Sequence, residues 1–495
     1  MLTASHLYQY TSCPRWPWNE LHGNPEARRG PSDFLRKLLA DGLLHEKAIY
    51  AHLEPARVTY PPGDHAAGAA ETLRLMAAGA PLIAQAVLRS PEGRRGVADL
   101  LERVPGRSAL GDWTYEPVEI KTARAVKPVY RLQLAFYAHL LAEALGAWPE
   151  RAHVILLDGS RHSFALSDVR PAYESILAQL HLIAAGHEPP VHIGSTCGDC
   201  PWEPTCLPHA EATRDVSLTY GLQRRVASAL RERGVGALAG LAAMDPTEVV
   251  QWTGIGPSAA RQLVTQARAL EQGAAIWRGA ADFPEHGRDL YFDIEGDPEH
   301  DVLYLFGVLV REHGPGGTGS ETYRAFVAEE PGEEKRAFLE LLDFLESQPG
   351  ATIYHYHHYE RSALRQLGER HQVAPGRVAL LLERLRDLNR DLVQSVVLPV
   401  YSYSLKAVAK SLGYRWRHPE ASAAQSMVWY SSWLRDGDRR YLDWAVEYNE
   451  DDCRATRVLK EWLAAGPDGA APEPSLAGLR GGAPVASLDG RSHPA

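Results

Sequence analysis

Two carboxylates and a lysine in the first quarter of the chain have residue types and spacing that suit hydrolytic chemistry. Glu119 and Lys121 are two residues apart in a segment of strand-like composition, and Asp99 lies in an earlier segment of the same kind. Side chains at i and i+2 of a strand share one face. If Asp99 occupies that face on the neighbouring strand, two carboxylates and an ammonium group converge. Such a group can hold a divalent cation, orient a water molecule and stabilise charge developing on a phosphate.

Residues on both sides of this group extend the pattern. His45 lies upstream in a predicted helix and offers an imidazole as a further ligand. Gln133 and Tyr137 lie downstream at i and i+4 of another predicted helix, on one face. An isolated Glu-x-Lys pair is usually only a surface ion pair, so the interpretation as a site depends on these additional residues.

A second acidic pair occurs in the last third of the chain. Asp293 and Glu295 stand at i and i+2 of an otherwise apolar predicted strand, so both carboxylates face one side. Two buried acids on one face repel each other unless a cation binds them. Much later, Tyr448 and Asp452 stand at i and i+4 of a helix that is predicted to begin at Glu447.

The cysteines follow a third pattern. Cys197, Cys200 and Cys206 are close together, whereas Cys13 lies far upstream. Four thiolates fit either structural zinc or a [4Fe–4S] cluster, and the spacing is compatible with both. A long loop is entropically costly to close, so a metal clip between the two ends would stabilise the fold. The remaining Cys453 is predicted to be a packed core thiol.

A glycine hairpin occupies the middle of the chain. Gly254, Ile255 and Gly256 separate two predicted helices, and Arg261 follows on the second helix. The glycines allow a tight turn and a close approach of the backbone to a phosphate. The helix that starts after Gly256 would point its first backbone amides at that phosphate. A simple pair of helices that acts as a spacer is the alternative.

The composition of the chain limits the class of protein to which these motifs can belong. The chain has 495 residues, of which 45% are hydrophobic and 23% charged, so it is predicted to fold into several domains rather than to be disordered. The net charge of −10 argues against a generally basic nucleic-acid coat but allows local clusters of arginine. With no apolar run of about 20 residues, no signal pattern and five cysteines, we expect a cytoplasmic protein without a membrane segment.

The order of elements predicts an α/β multidomain protein. We predict domains at 1–210, 211–282 and 283–465, and a disordered tail at 466–495 that is rich in Gly, Ala and Pro. In the first domain, strands at 97–104 and 115–122 are predicted to flank a hairpin loop at 106–112. The second domain is predicted to consist of short helices. The third domain opens with a three-stranded meander. A helix, a further strand and mostly helical sequence come after it.

The N-terminal motifs resemble the RecB/Cas4-like branch of the PD-(D/E)xK nucleases, which has a restriction-endonuclease-like fold. The matching residues are, in chain order, His45, Asp99, Glu119, Lys121, Gln133 and Tyr137. The resemblance implies that His45, Asp99 and Glu119 bind Mg²⁺ or Mn²⁺ and that Lys121 stabilises the attacking water or the transition state. It places Gln133 and Tyr137 among the catalytic residues. The layout of Cys13, Cys197, Cys200 and Cys206 resembles the iron–sulfur nucleases of the Cas4 type, which implies a [4Fe–4S] cluster.

The other two segments have resemblances of their own. The glycine hairpin resembles a helix-hairpin-helix module, which implies that Gly254, Ile255, Gly256 and Arg261 contact DNA backbone without reading bases.

Residues 285–465 resemble the RNase H-like DEDDy exonucleases of the YprB type. This resemblance implies that Asp293, Glu295 and Asp452 hold two metal ions and that Tyr448 positions the attacking water. Glu360 stands where the family has a further aspartate, so it would be a weaker ligand, with Asp391 as the alternative.

Together these segments resemble bacterial RecB-like nucleases fused to an RNase H-like domain. The resemblance implies a metal-dependent DNA exonuclease with two phosphodiester-hydrolysing sites, acting on single-stranded or end-bearing DNA in repair or recombination. The implied partners are DNA of any sequence and a helicase, because the chain has no G-x-x-x-x-G-K-[ST] motif of its own. An RNA-directed nuclease, or a DNA-binding adaptor for a helicase with a non-catalytic RNase H-like domain, are the alternatives.

Overall fold

The computed structural model describes residues 1–314 and 319–467, together with residues 469 and 474. The chain divides into an N-terminal unit, Met1–Ala210, and a C-terminal unit that begins at Glu211. Most of the predicted tail at 466–495 lies outside the described residues, as do residues 315–318 of the meander. Among the residues described, no helix is both long and apolar enough to cross a membrane.

The N-terminal unit places helices around a mixed sheet. Its helices are α1 (Ala4–Ser12), α2 (Arg15–His22), α3 (Asp33–Leu53), α4 (His65–Ala77), α5 (Pro128–Leu145), α6 (Arg170–Ala184) and α7 (Glu203–Ala212). Its strands are β1 (Leu2–Thr3), β2 (Ala56–Arg57), β3 (Leu82–Arg89), β4 (Arg94–Ser108), β5 (Gly111–Ile120), β6 (Arg151–Ile155) and β7 (Arg161–Ala165). The strand order is β2-β3-β4-β5-β6-β7, with β1 paired to β4.

The predicted hairpin of β4 and β5 forms the centre of this sheet. Buried and partly exposed residues alternate along the first half of β4, as expected for a strand with one face on a core. The strands pair as far as Ser108 and Gly111, so the turn is shorter than the predicted loop at 106–112. Helix α5 covers the sheet, and it ends at Gly146, whose left-handed conformation (φ 71°) closes the helix.

The C-terminal unit combines a helical segment with a second sheet. Its helices are α8 (Arg224–Arg231), α9 (Leu238–Ala243), α10 (Pro246–Thr253), α11 (Pro257–Gln272), α12 (Glu334–Glu346), α13 (Tyr359–Arg370), α14 (Pro375–Arg384), α15 (Leu388–Ser395), α16 (Leu405–Ser411), α17 (Ala423–Asp436) and α18 (Arg439–Ala465). Its strands are β8 (Ile276–Trp277), β9 (Arg288–Asp297), β10 (Val302–Glu312), β11 (Glu321–Val327), β12 (Thr352–His355), β13 (Leu385–Asp387) and β14 (Val396–Val397).

The larger sheet of this unit has the order β11-β10-β9-β12-β13. Strands β9, β10 and β11 form the predicted antiparallel meander, and β12 lies parallel to both β9 and β13. Neighbouring residues of β9 enter different cores: Tyr291 packs in one and Phe292 in the other, and both are fully buried. The central strand is therefore covered on both faces, which makes its sequence nearly continuously apolar.

The prediction that a helix begins at Glu447 is wrong. Helix α18 begins at Arg439, where the side chain of Asp438 caps the amide of Arg440. Leu442 and Ala445 are buried about two turns and one turn before Tyr448, respectively, and they extend the apolar face of the helix towards its start. Tyr448 and Asp452 consequently lie in the middle of a long helix rather than in its first turn.

The helices of the predicted middle domain pack within the C-terminal unit. The buried side chain of Gln266 on α11 donates to the carbonyl oxygens of Leu398 and Val400 at 2.8 and 3.1 Å. The hydroxyl of Tyr403 donates to Gln266 Oε1 at 3.1 Å. These contacts attach α11 to the segment 398–403, and each satisfies a buried polar group. The boundaries of three separate domains stay a prediction.

Candidate metal centres

The C-terminal unit brings three carboxylates together. Asp293 and Glu295 project from β9, and Asp452 projects from the middle of α18, which packs across that strand. One oxygen of each lies within 4.8 Å of the others, and among the described residues this is the one group of three side chains with such ligand spacing. Glu295 is buried, while Asp293 and Asp452 are partly exposed. The group is therefore both preorganised and open on one side, as a metal centre requires.

The electrostatics of these carboxylates are those of an uncompensated acidic cluster. Burial raises the pKa of Asp293, and the charges of Asp452, Glu295 and Glu360 raise it further. Burial and Asp452 also raise the pKa of Glu295. The pKa of Asp452 rises to about 7 through burial, although a hydrogen bond from Trp416 opposes the shift. A divalent cation would relieve this repulsion, so the donor set fits a metal.

Second-layer side chains hold the carboxylates in place. Asn449 donates from Nδ2 to Asp293 Oδ2 at 2.7 Å and accepts from the Tyr323 hydroxyl at 2.8 Å. Trp416 donates from Nε1 to Asp452 Oδ1 at 2.7 Å. A Cβ at Gly307 would lie 1.7 Å from Asn449 Oδ1, so this strand position must be glycine for Asn449 to fit.

The sequence reasoning missed these second-layer residues. A glycine inside an apolar strand marks the close approach of another element, and Gly307 was the available signal.

Tyr448 contacts one of the three clustered carboxylates, whereas Glu360 lies outside their group. The Tyr448 hydroxyl bonds to Asp452, and burial together with the neighbouring carboxylates raises the pKa of this phenol well above its usual range. Glu360, in the first turn of α13, is buried and contacts His355 Nδ1 at 3.1 Å. It lies outside the group of three, and its role as a metal ligand stays a prediction. Asp391, the alternative, is bound by Arg386 at 2.8 Å.

The N-terminal unit brings Asp99, Glu119 and Lys121 together at the β4–β5 hairpin. Lys121 Nζ lies 2.6 Å from Glu119 Oε1, and the amide of Ile120 donates to Asp99 Oδ2 at 2.7 Å. Glu119 Oε2 is buried and has no hydrogen-bond partner among the described residues. An orphaned carboxylate oxygen beside a second acid fits a cation, although this group lacks the three-ligand spacing found in the C-terminal unit.

Charge and burial compete within this N-terminal group. Burial and the charge of Glu119 raise the pKa of Asp99, and burial raises the pKa of Glu119. Burial alone would lower the pKa of Lys121, but the two carboxylates outweigh it and raise the pKa. Tyr137 on α5 is buried near both acids, and burial and their charges raise its pKa. Gln133 lies one turn earlier on α5 and is partly exposed.

The upstream helix contributes a residue that the sequence reasoning did not select. Glu46 on α3 acts electrostatically on both Asp99 and Glu119, and it accepts hydrogen bonds from Tyr50 and Gln85. Its neighbour His45 has a buried Nε2 atom without a hydrogen-bond partner among the described residues. The presence of a carboxylate directly after the predicted histidine was the only sequence signal for Glu46.

The four cysteines of the N-terminal unit line one cavity. Cys206 accepts from the amide of Asn19 at 3.5 Å, and Cys197 accepts from the backbone of Gly194 at 3.4 Å. Burial raises the pKa of the Cys200 thiol to about 12. Among the described residues the thiols are not within 4.8 Å of one another as a group, so they are not arranged as ligands of a single ion. Cys453, as predicted, is fully buried.

The glycine hairpin joins α10 to α11. Gly254 closes α10 in the left-handed conformation (φ 71°), and Gly256 precedes the first turn of α11. A Cβ at either glycine would meet nothing within 4 Å, so both backbones face open space. Arg261 is exposed on α11, and Arg225 donates to the carbonyl of Thr253 beside the hairpin. The exposed hairpin backbone and the arginines are compatible with a phosphate partner, although the Gly254 amide already donates to the Val250 carbonyl.

Metal affinity at the C-terminal group should depend on pH. Because protons compete with cations for Asp452 and for its neighbours Asp293 and Glu295, whose pKa values are raised as well, we expect the apparent Mn²⁺ affinity to rise at least about tenfold per pH unit up to about pH 7. The metal-free folded state holds this proton more tightly than the unfolded chain, whose aspartates titrate at about 3.9. Its unfolding free energy should therefore fall as the pH rises through that window. Calorimetric Mn²⁺ titrations at several pH values test this, and an affinity independent of pH would contradict it.

Comparison with protein families shows that the segment with the larger sheet is similar to a known superfamily. Residues 290–464 match the family model RNase_H_2, described as RNase_H superfamily. The matched range contains all three clustered carboxylates and Tyr448. Members of this superfamily are usually phosphodiester hydrolases that use divalent metals. No curated protein sequence matches the chain.

Proposed function

We propose that this protein is a metal-dependent DNA exonuclease that acts on single-stranded or end-bearing DNA, in repair or recombination. The observation that carries the proposal is the group Asp293, Glu295 and Asp452, which has metal-ligand spacing within the segment that matches the RNase_H superfamily. A bound divalent metal would polarise the scissile phosphate and generate a hydroxide nucleophile at neutral pH.

The side chains around this metal centre have separable roles. Asp293, Glu295 and Asp452 would hold Mg²⁺ or Mn²⁺, and Asn449 and Trp416 keep two of these carboxylates in position. The hydroxyl of Tyr448 already bonds to Asp452, so it is placed to orient a water molecule at the open side of the group. Its raised pKa keeps the phenol protonated, so at neutral pH the hydroxyl donates to Asp452 and its oxygen can accept a hydrogen bond from that water molecule.

The N-terminal unit supplies a second hydrolytic centre in this proposal. Glu119, with its orphaned oxygen, and Asp99 would share a cation with His45 or Glu46, while Lys121 would stabilise the attacking water. Gly254, Ile255, Gly256 and Arg261 would hold the DNA backbone. Such contacts bind any sequence equally, because no base edge is read. Unwinding would come from a partner helicase.

A cleavage assay with separately silenced centres tests the proposal. Labelled single- and double-stranded DNA and RNA are incubated with Mg²⁺ or Mn²⁺ and the wild type, Glu119→Gln, Asp452→Asn or the double variant. We expect DNA shortening from an end in the wild type and none in the double variant. Faster cleavage of RNA than of DNA would reassign the substrate. Binding without cleavage in either metal would instead indicate an adaptor.

We further propose that Cys13, Cys197, Cys200 and Cys206 hold a [4Fe–4S] cluster. Support comes from the cavity that all four cysteines line. Anaerobically purified protein should be brown and contain about four irons per chain. Cys13→Ser should lose most of the iron and lower the melting temperature, whereas Cys453→Ala should keep the iron. Colourless protein with one zinc would contradict the assignment.

A further inference from the structure

A second cavity lies on the C-terminal unit where β12 leads into α13. Its volume is about 650 Å³, within the range of sites for small ligands. We call it the cationic cavity, after the residues His357, His358, Arg361 and Arg390 that line it. Its other walls include Asp387 and Asp391. No apolar surface dominates this lining, so the cavity suits a charged ligand.

The two aspartates of the cationic cavity are already engaged. Asp387 Oδ1 accepts from the backbone amides of His357 and Asn389, each at 2.9 Å. Asp391 is bound by both ends of the Arg386 guanidinium, at 2.8 and 3.1 Å. These carboxylates therefore stabilise the walls of the cavity, and their oxygens are already engaged by donors of the protein. Among the described residues they form no three-ligand set for a metal.

The basic side chains of the cavity are more available than its acids. Arg390 and His358 are exposed, and Arg390 has no ion-pair partner among the described residues. Arg361 uses one guanidinium nitrogen on the carbonyl of Leu382 at 2.7 Å, and its other nitrogens remain for a ligand. Guanidinium groups present several donors in one plane, which suits phosphate oxygens. The cavity therefore has the donors and the charge for a phosphate group.

The backbone at the mouth of the cavity is held in an unusual conformation. His357 has a φ of 74°, in the left-handed region that residues other than glycine rarely adopt. The hydrogen bond from its amide to Asp387 fixes this conformation and presents the imidazole at the rim. Strain of this kind is concentrated at binding and catalytic sites, where the surrounding structure maintains it.

The cationic cavity lies near the metal centre, because β12, which leads into the cavity, pairs with β9, which carries Asp293 and Glu295. Its wall residue His355 contacts Glu360 at 3.1 Å, and the charge of Glu360 raises the pKa of Asp293. A nucleic-acid strand with one phosphate at the three carboxylates would therefore have neighbouring phosphates close to the arginines. This proximity favours the strand being cut, rather than an unrelated small anion, as the ligand of the cavity.

We propose that the cationic cavity binds a phosphate group of the nucleic-acid strand next to the phosphodiester held at the metal centre. The inference rests on the proposed nuclease function and adds the subsite that positions the strand. Arg390 and His358 contact the phosphate, and Arg361 supports them. Because only the backbone is contacted, binding here is independent of base sequence.

Strand-binding measurements on the full chain in EDTA test the inference. The probes are labelled single strands with a 5′-phosphate, a 3′-phosphate or no terminal phosphate. Arg390→Ala and His358→Ala are compared with Arg440→Ala, a control whose side chain is 75% exposed on α18 outside the cavity. We expect Arg390→Ala to weaken binding about tenfold and to reduce the slope of log K against log salt by about one, with no change for the control. Melting temperatures verify that each variant folds.

The outcomes separate the possible sources of the phosphate. A loss confined to one terminally phosphorylated strand identifies an end phosphate, and an equal loss on all three strands identifies an internal diester. If both cavity variants bind every strand with wild-type affinity and salt slope, while the wild type cleaves DNA, this inference is wrong and the nuclease function stands. If the wild type neither binds nor cleaves any strand, the proposed function fails as well.

Discussion

Asp452→Asn should reduce metal-dependent cleavage at the C-terminal centre by more than about a hundredfold, since losing even an outer-layer partner of a metal ligand costs 10–100-fold. The amide keeps an oxygen that can accept the Trp416 hydrogen bond, so the geometry of α18 is retained while one negative charge is lost. The variant is assayed together with Glu119→Gln, which silences the other centre.

The same substitution should act in the opposite direction on stability. In the metal-free protein, Asp452 raises the pKa of both Asp293 and Glu295, which shows that the three charges repel one another. Removing one charge relieves that repulsion, and about 1 kcal/mol of relief corresponds to an increase of about 2–4 °C in melting temperature. A variant that is inactive yet at least as stable as the wild type cannot owe its inactivity to misfolding.

A matched substitution on the same helix provides the control. Asp443 lies on α18 with a side chain that is 58% exposed and pairs with Arg439 at 3.2 Å. Asp443→Asn should leave both cleavage and melting temperature nearly unchanged, because exposed pairs contribute little to stability. Cleavage by the Asp452→Asn protein at the rate of this control would remove Asp452 from the metal centre.

The elements that carry the candidate sites were predictable because their patterns are local. The i, i+2 spacing of Asp293 and Glu295 on an apolar strand specifies one face of β9. The i, i+4 spacing of Tyr448 and Asp452 likewise specifies one face of a helix. Helix α18 was nevertheless placed too short, since its first turns carry charged residues that obscure the buried positions Leu442 and Ala445.

The residues that complete the sites were not predictable, because their roles depend on contacts between distant segments. Asn449 reaches Asp293 only where α18 crosses β10 at Gly307, which is a tertiary contact without a local pattern. Glu360 was predicted as a ligand from the family resemblance; in the structure it contacts His355, and its role as a ligand stays a prediction. Packing between elements therefore decides which polar side chain reaches the acids.

Lys121→Met should reduce cleavage at the N-terminal centre by more than about a hundredfold, measured in a protein that also carries Asp452→Asn. Electrostatic groups that act on the transition state typically contribute 10²–10³ in rate. Lys121 also holds Glu119 Oε1, which leaves Oε2 directed into the site without a partner. The positive charge of Lys121 lowers the pKa values of Asp99 and Glu119, against the effect of burial. Without Lys121, the pKa values of both carboxyl groups should rise further.

This electrostatic role predicts a change in pH dependence as well as in rate. With the ammonium group gone, more of the carboxyl groups are protonated at neutral pH, so any remaining activity should shift to higher pH and require more Mn²⁺. A purely structural loss would lower the rate equally at every pH. Lys127→Met is the control, because Lys127 is exposed just before α5 and should behave as the wild type. An unshifted profile, or cleavage equal to that of the control, would exclude Lys121 from the chemistry.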